Sequence, residues 1–360
     1  VDRRRAHDRP GAPAALATAL ALTALLAACA TTAPATSPAA PAAASSADPA
    51  RSADDDAARV DAPTVRVASL KGPTTMGLVG LMDDDAHGRA AQDYELTMHG
   101  TPDEVVPLVV QGAVDVALVP ANLASVLHHR TLTDDGPQVQ VAAVTTLGTF
   151  EVVEHGGTVD DLADLAGRTV YSSGKGASPE YVLDHLLRGA GLEPGVDVTV
   201  EYRSEHTEVA ALVASRPGAI GVLPQPFATA AIAQSPALRT AVRLADVWEA
   251  VEGTPMVTGV VVVRTAFAHE HPDALSTFLA DLQASTALTN ADPATAAVLV
   301  ADAGILGSVA VAEAAIPVSG ITYLDGAEMR SALDAYLRVL AAADPASVGG
   351  SVPDELYVDP

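Results

Sequence analysis

The sequence predicts an α/β protein of two lobes joined by two strand crossings, and three observations carry that expectation. From residue 65 onward, short β-rich runs alternate strictly with helical ones, the pattern of βαβ units around mainly parallel sheets. The chain holds two lysines against 18 arginines, and both stand in glycine-containing turns after a β-like run: Lys71-Gly72-Pro73-Thr74 and Gly174-Lys175-Gly176-Ala177-Ser178-Pro179. Two apolar runs, 139–153 and 256–263, lie where the chain would leave one lobe and return to it.

The N-terminal 62 residues are expected to stand apart from the folded body. Arg3, Arg4, Arg5 and Arg9 precede an apolar run, 14–28, that is too short for a comfortable membrane span and ends in Leu26-Ala27-Ala28-Cys29. This is the pattern of a secretory signal with a bacterial lipobox. Cys29 is the only cysteine, so no intrachain disulfide is possible, and it stands where acylation would make it a lipid anchor. Residues 31–62 are rich in Ala, Pro, Ser and Asp without apolar periodicity, which predicts a disordered tether. The expected organisation is a signal peptide at 1–28, the tether at 29–62, a first lobe of 63–146 and 258–360, and a second lobe of 147–257.

In the first lobe, strands are expected at 65–70, 94–99 and 114–119, followed by helices from Thr74, Pro102 and Asn122. Thr101-Pro102-Asp103-Glu104 combines an N-cap threonine, a first-turn proline and a capping-box glutamate. The run 139–153 is interrupted at Thr145-Thr146-Leu147-Gly148 and reads as a strand passing into the second lobe. There the pattern predicts a helix at 159–165, a strand at 169–172, a helix at 178–188 closed by Gly189 and Gly191, a strand at 197–202, a helix at 205–214 and a strand at 219–223. Pro224-Gln225-Pro226-Phe227 opens another helix. The strand 256–263 is the return crossing, and helices at 272–289, 293–303, 309–315 and 326–342 complete the first lobe.

The two lysine turns occupy equivalent places. In each, glycine permits close backbone approach, and a Pro or Ser/Thr opens a helix with unpaired N–H groups, so each is suited to cradle an anion or polar group. Without residues 1–28 the chain carries 16 basic and 43 acidic residues, a formal charge of −27. Such a surface repels nucleic acid and anionic lipid, and any anion site must act through local donors.

Several stretches carry a resemblance to a known family: Lys71-Gly72-Pro73-Thr74-Thr75-Met76-Gly77-Leu78, 112–124 ending in Val119-Pro120-Ala121-Asn122-Leu123-Ala124, Asp164-Leu165-Ala166-Gly167-Arg168, 173–183, Ser204-Glu205-His206-Thr207-Glu208, Leu223-Pro224-Gln225-Pro226-Phe227 and 258–264. With these, the chain resembles the substrate-binding lipoproteins of ABC importers, in the nitrate, sulfonate, taurine and thiamine-pyrimidine group. The resemblance covers 65–360 and is specific for the superfamily but weak for the ligand. It implies a two-lobe type 2 periplasmic-binding-protein fold closing on a small molecule at the carboxyl ends of the strands. It further implies a monomer anchored outside the cytoplasm through lipid, delivering its ligand to an ABC permease, with no cofactor. Carried over by position, the first lobe would contribute Lys71, Thr74, Thr75, Met76 and Asn122. The second would contribute Ser173, Lys175, Ser178, His206 and Gln225, with Thr146 and Thr258 at the crossings. Thr75 departs from the family pattern, in which glycine is frequent.

His206 stands open between contacting a ligand and capping its own helix. His269-Glu270-His271 lacks the i, i+4 spacing of a zinc helix, and Asp83-Asp84-Asp85 lacks the alternation and glycine of a calcium loop, so no metal is expected. No nucleophile elbow or Cys-His pair is present, which argues against an enzyme. Enzymes of the same fold, of the pyrimidine or menaquinone pathway type, remain an alternative, as does a lipoprotein that senses a ligand for a membrane receptor. Lysines, hydroxyls, carboxamides and helix N-termini suit a small anionic or zwitterionic organic solute. Only 12 of 360 residues are aromatic, which disfavours a stacked pyrimidine, although Tyr171 and Trp248 remain candidate platforms.

Overall fold

Short, largely buried apolar runs build two separate sheets. The computed structural model describes residues 63–358; the signal segment, Cys29, the tether and the last two residues lie outside the described residues. The first sheet contains β1 (Val65–Leu70), β2 (Tyr94–His99), β3 (Val116–Pro120), β4 (Val139–Leu147), β10 (Val257–Arg264) and β11 (Ile321–Leu324), in the order β11-β4-β10-β3-β1-β2. The second contains β5 (Phe150–His155), β6 (Thr169–Ser173), β7 (Thr199–Arg203), β8 (Ile220–Pro224) and β9 (Leu238–Arg243), in the order β7-β6-β8-β5-β9.

Both sheets follow one plan. β1 pairs in parallel with β2 and β3, as β6 does with β7 and β8. Next to each parallel trio lies an antiparallel strand that has just arrived from the other sheet: β10 between β3 and β4, and β5 between β8 and β9. The two-lobe fold with two crossings is therefore present as the sequence predicts.

In each lobe, helices follow the parallel strands at their carboxyl ends. β1 leads into α1 (Pro73–Met76) and α2 (Val79–Ala86), β2 into α3 (Pro102–Val110), and β3 into α4 (Ala121–Thr131). In the second lobe β6 leads into α5 (Ser178–Gly189), β7 into α6 (His206–Ser215), and β8 into α7 (Phe227–Gln234). After β9 comes α8 (Leu244–Glu252). Past β10 the chain forms α9 (Thr265–Glu270), α10 (Pro272–Ala291), α11 (Pro293–Asp302), α12 (Val309–Ala315) and, after β11, α13 (Gly326–Ala343). Among the described residues, no helix is long and apolar enough to cross a membrane.

The crossings run side by side. Leu147 at the end of β4 pairs with Val257 at the start of β10, and the Gly148 N–H donates to Met256 O at 2.8 Å. Gly148 has φ +59°, and a Cβ there would stand 2.7 Å from Ala245 Cβ, so the turn between β4 and β5 requires glycine. One apolar core runs beneath both sheets, joining Val144 and Val260 to Val152, Leu183, Trp248 and Tyr336. The Trp248 ring of α8 lies 5.1 Å from that of Tyr336 on α13. Both rings are fully buried, and the gain from their apolar surface is offset in part because Trp248 Nε1 and the Tyr336 hydroxyl are buried without hydrogen-bond partners among the described residues.

Several boundaries differ from the sequence reading. The helix expected from Thr74 is two pieces, α1 and α2, separated at Gly77-Leu78. The run 139–153 is two strands in different sheets, divided at Gly148-Thr149. Of the helix at 159–165 only a 3-10 turn, Leu162–Leu165, forms, capped by Asp161. Thr101 makes no capping bond; Glu104 instead accepts from Gly100 N–H at 3.3 Å. β9, α8, α9 and β11 were not foreseen. α13 packs on β4, β10 and α4 as expected of a first-lobe helix, and also against α5 of the second.

Candidate functional site

The carboxyl ends of the two parallel trios carry the lysine turns and helix starts of both lobes, which meet there at Gly72 with Phe227 and at Asn122 with Ser178. Gly72, with φ +141°, precedes α1, and a Cβ there would meet the Phe227 ring at 3.5 Å. Phe227, first residue of α7, packs against His206, first residue of α6, with ring centroids 5.1 Å apart and the rings tilted by 39°. His206 Nδ1 is in turn hydrogen-bonded to Ser173 Oγ at the end of β6. A continuous line of contact thus runs from the first lysine turn, through Phe227, to His206 and Ser173 of the second lobe.

His206 retains partial solvent contact, yet its imidazole lies deep enough that desolvation pushes it down to about 4. The ring is neutral near pH 7. Its Nε2 carries no hydrogen bond among the described residues and remains available to a ligand.

The two lysines differ. Lys71 is half-buried, and its own N–H donates to His99 O at 2.8 Å. Lys175 is exposed, with its ammonium 5.7 Å from the centre of the Tyr202 ring. Neither forms an ion pair among the described residues. The second turn also departs from the expected open cradle, since Gly176 N–H donates to Glu180 Oε2 at 2.5 Å. A carboxylate of the chain itself occupies that donor.

Other predicted residues are tied into the framework. Thr74 Oγ1 donates to Leu70 O at 2.7 Å; Thr75 Oγ1 lies 2.6 Å from Leu70 O and 2.8 Å from Ser69 Oγ. The hydroxyl at Thr75 therefore closes the β1–α1 turn on itself. Met76 is fully buried in an apolar cluster with Val79, Ala296, Val300 and Ile316. Thr258 Oγ1 donates to Thr146 O at 3.3 Å across the crossings. Gln225 Nε2 donates to the buried Glu151 at 2.9 Å, while its Oε1 accepts from Thr229 Oγ1 at 2.8 Å.

Asn122 and Ser178 meet each other. Ser178 Oγ donates to Asn122 Oδ1 at 3.1 Å, and Asn122 Nδ2 donates to Ser347 O at 3.0 Å; both side chains are fully buried. Helices from the two lobes are joined at their first turns.

Tyr171 and Trp248 do not serve as platforms here. The Tyr171 hydroxyl accepts from Arg216 at 2.7 Å, in a cluster with Val209 and Val213, and Trp248 is locked against Tyr336. The aromatic residue at the junction is Phe227, which the helix-opening motif contained. Glu151 was missed altogether, because a single glutamate inside an apolar strand carries no motif. Among the described residues, no three or more His, Cys, Asp or Glu side chains are grouped to hold a metal.

Residues 103–314 match the family described as ABC transporter, phosphonate, periplasmic substrate-binding protein. The fold is similar to that of an ABC transporter from Parabacteroides distasonis, with TM-score 0.68 and 19% identity over 82% of this chain and 99% of the other. It is also similar to the alkanesulfonate-binding protein SsuA from Xanthomonas axonopodis pv. citri bound to MOPS, with TM-score 0.62 and 15% identity over 82% and 97%. A third similar structure is the periplasmic nitrate-binding protein NrtA from Synechocystis PCC 6803, with TM-score 0.59 and 13% identity over 82% and 91%. At these identities the likeness is one of fold. No curated protein matches the chain.

Proposed function

The chain belongs to the family of periplasmic substrate-binding proteins of phosphonate ABC transporters, and from that premise we propose that it captures a small organic oxyanion between its lobes and hands it to an ABC permease. The observation that carries this reading is the line from the Lys71-Gly72 turn through Phe227 to His206 and Ser173. It sets a free imidazole nitrogen beside one apolar ring, with a hydroxyl bonded to the same imidazole, and Lys71, whose ammonium makes no ion pair among the described residues, stands in the turn that approaches the ring. An ammonium and neutral donors in a partly desolvated site favour an oxyanion, and the ring favours an organic substituent. The phosphonate of the family description and the sulfonate and nitrate of the similar structures' names share this oxyanion character.

In this proposal Lys71, Ser173, Lys175 and His206 touch the ligand. Thr74, Thr75, Met76, Asn122, Thr146, Ser178, Gln225 and Thr258 shape the walls and hold the lobes. Residues 63–146 with 258–360 move as one body and 147–257 as the other. Cys29 anchors a monomer to the outer face of the cell membrane through lipid. The site binds and releases without chemistry, in keeping with a family of binding proteins.

Isothermal titration of the full chain with methylphosphonate, 2-aminoethylphosphonate, ethanesulfonate and nitrate tests the ligand class. Tighter binding of a phosphonate or sulfonate than of nitrate supports an organic oxyanion. Binding of none of the four, alongside capture of a cationic or neutral solute detected by native mass spectrometry, overturns it. For the anchor, Cys29→Ala is expected to release the protein from membranes or leave it unprocessed; a mature, membrane-bound mutant contradicts the lipid reading.

A further inference from the structure

At the opposite end of the first lobe from the cleft, a cavity of about 410 Å³ opens among the last turns of α3 and α4, the start of β4 and the end of β10. The cleft lies at the carboxyl ends of the parallel strands; this cavity lies at their amino ends. None of the residues named above as ligand-binding lines it. Its volume falls in the range of small-molecule sites.

Its lining has two kinds of surface. Val109 and Val139 are buried beneath it, whereas Val110 and Leu132 stand 50% and 53% exposed at its edge, an apolar wall open to solvent. Arg130 and Arg264 line it as well. Arg264 is held from behind: its N–H donates to Asp115 O at 2.9 Å and its Nη2 to Asp115 Oδ1 at 3.0 Å. Asp115 also accepts from Arg66 Nε at 2.9 Å and Nη2 at 2.6 Å, so one buried carboxylate is shared between two arginines. Arg264 Nε is buried without a hydrogen-bond partner. Nη1 lies beside Gly112, where a Cβ would approach it to 3.6 Å. Nη1, on the glycine side, makes no hydrogen bond among the described residues and is the guanidinium nitrogen open to an acceptor.

We infer that this cavity is a second ligand site, for a small amphiphilic carboxylate whose head meets Arg264 and Arg130 and whose chain lies on Val110 and Leu132. The partial negative charges at the ends of α3 and α4 oppose an anion, but each is weaker than a guanidinium's full charge, and Arg130 sits in the last turn of α4 where it offsets one of them. Asp134 and Asp135 belong to the adjoining turn and do not line the cavity. A cationic head is repelled by the two arginines, and a neutral one forgoes the charge-assisted bond that a carboxylate makes to a guanidinium.

Hexanoate is the probe, with hexanol and hexylammonium as controls, read by amide chemical-shift mapping on the full chain. Saturable shifts at Gly112 and Thr133 are expected with hexanoate, and binding of either control weaker by about tenfold or more. Arg130→Gln and Leu132→Asp change exposed positions that the fold does not depend on, and each is expected to weaken hexanoate by about tenfold. Lys71→Met, in the cleft, leaves it unchanged. The inference is overturned if hexanoate gives no saturable shift at Gly112 or Thr133, if its shifts appear only around Gly72 and Phe227, if both variants bind as wild type does, or if hexanol binds as well as hexanoate.

Discussion

Ser178 Oγ and Asn122 Oδ1, 3.1 Å apart, form a hydrogen bond between helices that rise from different sheets, with no solvent reaching either group. The bond substitutes for water that each side chain would otherwise bind, so losing one partner leaves the other buried and unsatisfied. Ser178→Ala and Asn122→Ala should each lower stability by about 1–3 kcal/mol in urea unfolding. The double variant should cost less than the sum, by about 1 kcal/mol. Strict additivity would mean that the two residues act independently.

The unequal settings of the lysines predict unequal effects. Lys71→Met should weaken binding of the best phosphonate or sulfonate by about 1.5–3 kcal/mol, the range for a charge-assisted bond in a partly desolvated site. Lys175 is exposed beside Tyr202, and Lys175→Met should cost less than about 1 kcal/mol. Stability of the ligand-free protein should barely change in either case. Titration calorimetry showing the reverse order would move the centre of the site toward the second lobe.

His206 sets a pH dependence. Desolvation lowers the folded imidazole to about 4, whereas an unfolded histidine titrates near 6.5. In that interval the unfolded chain takes up a proton that the folded one refuses, so stability is intact above pH ~6.5 and falls as pH drops toward ~4. Partial solvent contact limits the loss to on the order of 2 kcal/mol. Glu205 and Glu208 on its own helix, Ser173 on β6 and Phe227 on α7 surround it, and neither glutamate forms an ion pair with the ring among the described residues. Denaturant midpoints between pH 7 and 4.5 should decline more steeply for wild type than for His206→Gln. An anion held at Nε2 would favour the imidazolium, so affinity should rise as pH falls through the same window. Parallel stability profiles for the two proteins would remove His206 as the cause.

Gly259 in β10 carries a steric prediction. A Cβ there would lie 2.2 Å from Thr146 Oγ1 and 3.0 Å from Thr74 Cγ2. Gly259→Ala must displace both threonines beside the crossings, at a cost of about 1–3 kcal/mol. Gly157→Ala, with nothing within 4 Å, should stay within about 0.5 kcal/mol of wild type. Thermal unfolding separates the two; equal midpoints would show that the strand relaxes freely.

Much of this architecture was written in local pattern. Short apolar runs at β1, β3, β6 and β8, alternating with helical segments and followed by Gly or Pro at the turns, are enough to place the parallel trios and the helix starts beside them. β9 escaped notice because Leu238-Arg239-Thr240-Ala241-Val242-Arg243 is a half-buried edge strand in which arginines break the apolar run, Arg239 being tied to the buried Glu154 at 3.1 Å. At the candidate site, residue type and turn position were legible, but allegiance was not. Thr75, Asn122 and Gln225 carry the groups a ligand would need, and their hydrogen bonds run to Leu70, to Ser178 and Ser347, and to Glu151 and Thr229, partners that no local spacing announces.

Two crossings laid side by side have a mechanical meaning. A body attached to another at a single point can tilt and spin in any direction; attached along a short line, it can only swing about that line. Leu147 beside Val257 and Gly148 bonded to Met256 make such a line. In the proposed capture, such a line would favour swinging over twisting, so that closure would bring the Gly72 turn back against the Phe227 ring.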